Sequence, residues 1–278
     1  MATLVGLVLA IGGILLGLVL EGGNLGQVIQ PTAALIVFGG TLGAILIQYP
    51  LAVAVSAFRR LAQVLVEPAQ NARSTIGILV KYANQARREG IISLDKELPN
   101  IQEPFLHRAL MLAVDGTEPQ ELRKMMELEL DNKEEQEEKI PQLFESAGGF
   151  SPTIGIIGAV LGLIQVMQHL DKIDEVGKGI AVAFVATLYG VGAANLILLP
   201  CAGKLRIRIR NEQIIREMTL EGVVSILEGM NPRILEATLL GFLTEAHGPA
   251  AVAGPSKAVP SNAGPSNDQD SSPEESSV

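Results

Sequence analysis

The chain has 278 residues, 48% of them hydrophobic, with no Trp and a mean hydropathy of +0.34, a balance that favours a membrane protein over a soluble globular one. Its net charge of -9 excludes the basic stripe that a nucleic-acid partner needs. Cys201 is the one cysteine, so an internal disulfide is excluded, and with His107, His169 and His247 scattered along the chain no metal signature or cofactor site can be assembled.

Residues 1–20 carry no charge and lack the basic start of a secretory signal, so they read as a retained first span. Gly6, Ala10, Gly13 and Gly17 give it the small-residue spacing that lets helices approach closely in lipid. A loop over 21–31 without Lys or Arg leads to a second span from Thr32, which contains Gly39-Gly40-Thr41-Leu42-Gly43. A proline bends a membrane helix without ending it, so this span is expected to run past Pro50 to Phe58. Residues 1–58 then hold spans one and two, before Arg59 and Arg60.

The segment 59–145 reads as a helical insert. Leu61, Val64, Leu65, Ile76, Leu79, Val80 and Ala83 recur at helical spacing on either side of Pro68. Gly90 is placed as a stop, and Ser93 as the cap of a short helix ending before Pro99. A further helix carries Phe105, Leu106, Ala109, Leu110 and Ala113, and Thr117-Glu118-Pro119-Gln120 resembles a capping box that opens the next. Glu129 with Lys133 and Glu135 with Lys139 are expected to pair on its face. Arg87-Arg88-Glu89 and Asp95-Lys96-Glu97 flank Gly90. Charges of both signs at such a turn are either a solvated surface or a docking face for a charged partner.

Residues 146–203 hold two uncharged runs, Ser146 to Leu170 and Gly179 to Gly203, around the mixed-charge loop 171–178. A helix needs about 20 apolar residues to cross a hydrocarbon core of roughly 30 Å, so the pair reads as a membrane hairpin of spans three and four. Gly158 and Gly162 on one run, and Gly179, Ala183, Ala186, Gly190 and Ala194 on the other, make two smooth faces. The hydroxyl of Thr187 is a candidate for binding a hydrated ion or a partner carboxylate, as is Asn195. Pro152 and Pro200 remove backbone donors and permit bends. Neither run contains an Asp or Glu, so any titrating group on an ion path through this hairpin must come from another chain.

Residues 204–245 read as two helices separated at Asn231-Pro232, and 246–278 as a disordered tail of Pro, Ser, Gly, Asn and Asp. Of the basic residues, twelve lie between Arg59 and Lys139, seven from Lys204 onward, none in the 21–31 loop and two in the 171–178 loop. The positive-inside bias therefore puts both termini and the insert in the cytoplasm. The fold expected is all-α and polytopic, with four transmembrane helices and a helical cytoplasmic domain. No nucleophile-base-acid set or phosphate loop is present, so enzymatic chemistry is not expected.

Ala86-Arg-Arg-Glu-Gly-Ile-Ile-Ser-Leu-Asp95, the span-three start Ser151-Pro-Thr-Ile-Gly-Ile-Ile-Gly158 and Ala186-Thr-Leu-Tyr-Gly190, set among four spans, resemble the MotA family of bacterial flagellar stators, PomA and MotC types included. The resemblance covers residues 1–243. It implies an inner-membrane homo-oligomer, a pentamer in the family, around two copies of a MotB-like single-span subunit that grips peptidoglycan and carries the proton-accepting aspartate, with the rotor protein FliG as the other partner. Arg87 and Asp95, with Arg88 beside them, fall on the rotor-facing positions. Pro152 and Pro200 fall on the two functional prolines, and Thr187 on the threonine beside the ion path. Sodium-driven relatives carry a further threonine where this chain has Ala159, whose methyl offers no oxygen to a hard cation, so protons are the ion implied. A TolQ or ExbB type energiser of envelope processes and a self-sufficient channel are the alternatives.

Overall fold

The computed structural model describes residues 2–66 and 72–246. Among them there is no strand, and eight helices follow in order. They are α1 (Ala2–Leu20), α2 (Pro31–Gln48), α3 (Leu51–Val66), α4 (Ala72–Glu89), α5 (Pro104–Val114), α6 (Pro119–Gln168), α7 (Ile173–Leu227) and α8 (Pro232–Ala246), with a 3-10 segment, Ile91–Asn100, between α4 and α5. Pro68 and residues 247–278, which hold almost all of the expected tail, lie outside the described residues.

Three helices, α2, α6 and α7, are long and apolar enough to cross a membrane, and α1 carries a shorter apolar stretch, Val5–Leu20. The organising feature is that α6 and α7 do not stop where their apolar runs stop. With 50 and 55 residues they extend about 75 and about 82 Å, more than twice the thickness of a hydrocarbon core. Each is an apolar helix of membrane-crossing length fused to a charged helix. The apolar half of the hairpin exposes large side chains such as Ile157 (56%) and Phe184 (74%), as a lipid-facing or assembly-facing surface does. The charged half buries its own core. Leu79, Leu94, Phe105, Leu110, Leu122, Met126, Met218, Val223, Leu235 and Leu239 come together there from α4, the 3-10 segment, α5, the start of α6, the end of α7 and α8.

The second span ends earlier than expected. Tyr49 is extended, at φ -121° and ψ 141°, and α3 starts afresh at Leu51. A residue before proline is pushed out of the helical region by the proline ring. The break is also anchored: the Tyr49 hydroxyl lies 3.1 Å from Ser146 Oγ, and Gln48 Nε2 donates to the same oxygen at 3.3 Å. Three local expectations are corrected as well. Ser93 does not cap a helix; its hydroxyl donates back to Gly90 O at 2.7 Å, and the segment is 3-10 with Pro99 inside it. The α6 start carries proline in its first turn, but Glu118 is the cap residue and no side-chain cap bond forms. Glu135 does pair with Lys139 at 3.1 Å, whereas Glu129 reaches across to Arg108 on α5 at 3.3 Å.

Candidate functional site: a glycine seam and a charged lever

Where α6 and α7 cross the apolar region, their backbones touch. A Cβ added at Gly155 would lie 2.9 Å from Ala186 O, one at Gly162 would lie 2.8 Å from Gly179 O, and one at Gly190 would lie 2.6 Å from Ser151 O and 3.2 Å from Pro152 Cα. Only glycine permits these approaches, and such contacts replace the hydrophobic effect as the glue between helices in lipid. The two smooth faces read from the sequence therefore pack against each other. Span two joins them, since a Cβ at Gly40 would meet Ile154 Cγ2 at 2.8 Å and one at Gly158 would meet Ile36 Cγ2 at 3.3 Å.

Pro152, Ala159 and Thr187 lie along this seam. Pro152 packs beside Gly190, and Thr187 Cα lies 3.4 Å from where a Gly155 Cβ would sit. Ala159, half-buried, is one turn beyond Gly155. The Thr187 side chain is half-buried and its hydroxyl donates to Ala183 O at 3.2 Å. Its proton is thus engaged within its own helix, while its oxygen lone pairs stay available to a water or a cation. The same habit recurs at Thr41, whose hydroxyl donates to Val37 O at 2.6 Å, and at Asn195, whose amide donates to Val191 O at 3.0 Å. Pro200 is exposed and stands just after a π-helical stretch, Ala193–Leu198. Its missing N–H cannot close the ordinary ring to Leu196 O, which loosens the ladder there. Ser151 is 1% exposed, and its hydroxyl has no partner among the described residues.

Arg87, Arg88 and Asp95 are not part of the seam. They stand exposed at the turn between α4 and the 3-10 segment, on the charged half. Gly90 makes the turn at φ +84°, a left-handed value that favours glycine. Leu94 is fully buried in the core next to Asp95, and Gln85 Nε2 donates to Ser93 O at 3.1 Å. Lys81 Nζ meets Glu97 Oε2 at 3.0 Å, a hydrogen bond that raises the Lys81 ammonium above its ordinary value. The three charged side chains are therefore presented on a pinned corner.

Two features were not read from the sequence. Tyr189 fastens the 21–31 loop to α7: its hydroxyl donates to Val28 O at 2.6 Å and accepts from Gln30 N at 3.3 Å. Nothing in the local pattern announces a contact across 161 positions. Second, beyond the seam the contact between α6 and α7 becomes ionic. Arg206 meets Glu145 at 2.6 Å, Arg216 holds Glu137 with two bonds at 3.0 and 3.2 Å, Gln213 donates to Glu134, and Arg123 meets Glu221 at 2.8 Å. The i,i+4 series Arg208, Glu212, Arg216 is visible in the sequence, but its partners on other helices are not. Beside this ladder, burial pushes the Glu217 carboxyl up; Arg210 works against that and Glu134 adds to it.

The fold is shared with known proteins. Residues 97–218 match the family described as MotA/TolQ/ExbB proton channel family, and residues 4–90 match motility protein A N-terminal. Motility protein A of Bacillus subtilis is 35% identical over 245 residues, 87% of this chain and 90% of that one. The solved C. jejuni MotAB structure is similar at a TM-score of 0.82 and 32% identity, covering 87% of this chain and 94% of that chain. The Bacillus subtilis flagellar MotAB stator complex is similar at a TM-score of 0.78 and 34% identity, covering 86% and 94%.

Proposed function

Because this chain belongs to the MotA/TolQ/ExbB proton channel family, we propose that it is a flagellar motor stator subunit which, with a MotB-like partner, converts ion flow across the bacterial inner membrane into torque on the rotor. The observation that carries this reading is a charge-free seam continued, without a break in either helix, into a charged body that displays Arg87, Arg88 and Asp95. A seam without a carboxylate offers no titrating group of its own, and a charged group at the bilayer centre normally marks an ion site. A single-span partner supplies that carboxylate, several copies of this chain surround it as a pentamer in lipid, and the Thr187 oxygen faces the path. Protonation changes the partner's contact with the seam, Pro152 and the loosened turn before Pro200 yield, and α6 and α7 carry the movement to the Arg87 corner, where FliG is met.

In this reading α1 is a fourth span and both termini are cytoplasmic. The match to motility protein A over the first 90 residues favours a stator over a TolQ or ExbB type energiser. Protons are the coupling ion, on the methyl group of Ala159. Deleting the gene in a strain with no other stator leaves flagella assembled and cells unable to swim; normal motility there would overturn the proposal. Swimming that stops when sodium is removed at constant proton motive force would overturn the choice of ion alone. Arg87→Glu lowers torque several-fold with the protein still in the membrane, because exposed substitutions rarely cost more than about 0.5 kcal/mol; loss of the protein would make Arg87 structural.

A further inference from the structure

Among the described residues, Glu212 gathers three arginines on the charged half. It sits on α7, its side chain is 11% exposed, and three guanidinium groups converge on it. Arg208 Nε lies 2.8 Å away and Arg216 Nη2 3.6 Å, each one turn along the same helix, and Arg60 arrives from α3. Arg216 in turn holds Glu137 of α6 with both of its terminal nitrogens. The side chains of Arg208, Arg216 and Glu137 are 15, 14 and 16% exposed, and that of Arg60 22%. Water screens such a cluster little, and because Glu212 has three arginine partners, losing Arg60 leaves the carboxylate paired with Arg208 and Arg216.

Its position gives the cluster a role. Above it the α6–α7 contact is the glycine seam. Span two meets that seam through Gly40, but its helix is broken at Tyr49-Pro50, so α3 is not rigidly continuous with it. Below the break, Arg60 is the one residue of α3 seen in an ion pair among the described residues. Tyr49 and Gln48 tie the end of span two to Ser146 of α6, but without the Arg60 bond the described residues of α3 beyond the break would meet the lever formed by α6 and α7 through apolar contacts, such as Ala57 and Leu61 against the Phe144 and Leu205 cluster.

We propose that Glu212 is a positioning residue for torque transfer: through Arg60 it locks the exit of span two to the α6–α7 lever, so that a displacement in the seam reaches the Arg87 corner instead of being absorbed at the Pro50 break. This inference rests on the stator reading above, and its test is relative to the unaltered chain. Arg60→Gln removes the α3 tie while leaving Arg208, Arg216 and Glu137 in place. The full-length chain and its MotB-like partner are induced in cells without other stators, and the speed of a tethered cell is followed as units join one by one. The expected result for Arg60→Gln is a membrane level and partner co-purification within twofold of the unaltered chain, with the speed increment per unit lowered twofold or more; Arg60→Lys recovers most of it. An unchanged increment overturns the proposal. So does a Gln variant that fails to accumulate while the Lys variant restores amount and increment together, since that is a purely structural role. Glu212→Gln, which loosens all three arginines, gives the larger loss of increment, and Glu212→Asp a smaller one. If the unaltered chain adds no torque at all, the stator reading fails instead.

Discussion

The α6–α7 pair is held together in two ways along its length, and the change of method falls where the apolar runs end. In the upper half, backbone meets backbone at Gly155, Gly162, Gly179 and Gly190, with large apolar side chains turned outward. In the lower half the helices are bridged by Arg206, Arg216, Gln213 and Arg123 against Glu145, Glu137, Glu134 and Glu221, and a conventional apolar core lies alongside. Lipid offers no hydrophobic reward for bringing helices together, so close packing must do it. Water offers that reward to the charged half's core, and its ion pairs then fix how the helices align. The upper half depends on shape and tolerates no added atom between its backbones, while the lower half depends on charge.

The largest break in this contrast is Gly190→Ala. Its new Cβ would meet Ser151 O at 2.6 Å and Gly155 Cα at 3.1 Å. Both are backbone atoms that move only if the helices part. Overpacking of this kind costs about 1–3 kcal/mol or more, and the expected result is poor accumulation in the membrane with loss of swimming. Normal accumulation and motility would mean that the seam is looser than its distances imply.

Tyr189→Phe comes next. It keeps the ring near Phe38 but deprives Val28 O and Gln30 N of their partner. Backbone groups left unpaired away from water cost about 1–3 kcal/mol. A lower melting temperature of the detergent-purified complex and faster labelling of cysteines introduced in the 21–31 loop are expected. Unchanged labelling would show that water already satisfies those groups.

The upper half was largely legible in the sequence, and the lower half much less so. Uncharged runs and small residues at spacings of three and four reveal spans and their packing faces because period and composition are local properties. The Arg87–Asp95 turn was legible for the same reason, since Gly90 and its flanking charges are adjacent in the chain. Arg60 with Glu212, and Arg123 with Glu221, join residues 152 and 98 positions apart. No periodicity encodes such partners, and a run of arginines at a membrane exit looks the same whether it meets lipid phosphate or buried carboxylates. The Pro50 break lay between these cases. The proline is plain in the sequence, but whether it bends or ends a helix depends on what holds the extended residue before it, here Tyr49 against Ser146.

Gly77→Ala repeats the chemistry of Gly190→Ala in the other half, with the opposite sign expected. Gly77 lies mid-helix in α4, exposed, and an added Cβ would meet nothing within 4 Å. Replacing an unconstrained helical glycine with alanine restricts the unfolded chain and stabilises by about 0.5–1 kcal/mol. A small rise in melting temperature with unchanged motility is expected. A loss of torque would show that this face of α4 is occupied in the assembled motor.

The smallest effect concerns Glu217, and its sign can be worked out. Burial raises its carboxyl above its ordinary value, against the attraction of Arg210 and a hydrogen bond from Gln213 and together with the repulsion of Glu134. In the unfolded chain the group ionises near pH 4.3. Below that value both states are protonated and the site has no influence on folding. As pH rises through the window between about 4.3 and the raised folded value, the unfolded state loses its proton first and gains stability relative to the folded one. Above the folded value a constant penalty remains. Glu217→Gln should therefore melt slightly higher than the unaltered protein at pH 7, and the gap should close as pH falls toward 4. A Gln variant that melts lower than the unaltered protein at pH 7, with the deficit disappearing on acidification, would mean that Arg210 holds Glu217 as a paired carboxylate and that this part of the lower half is fully compensated in charge.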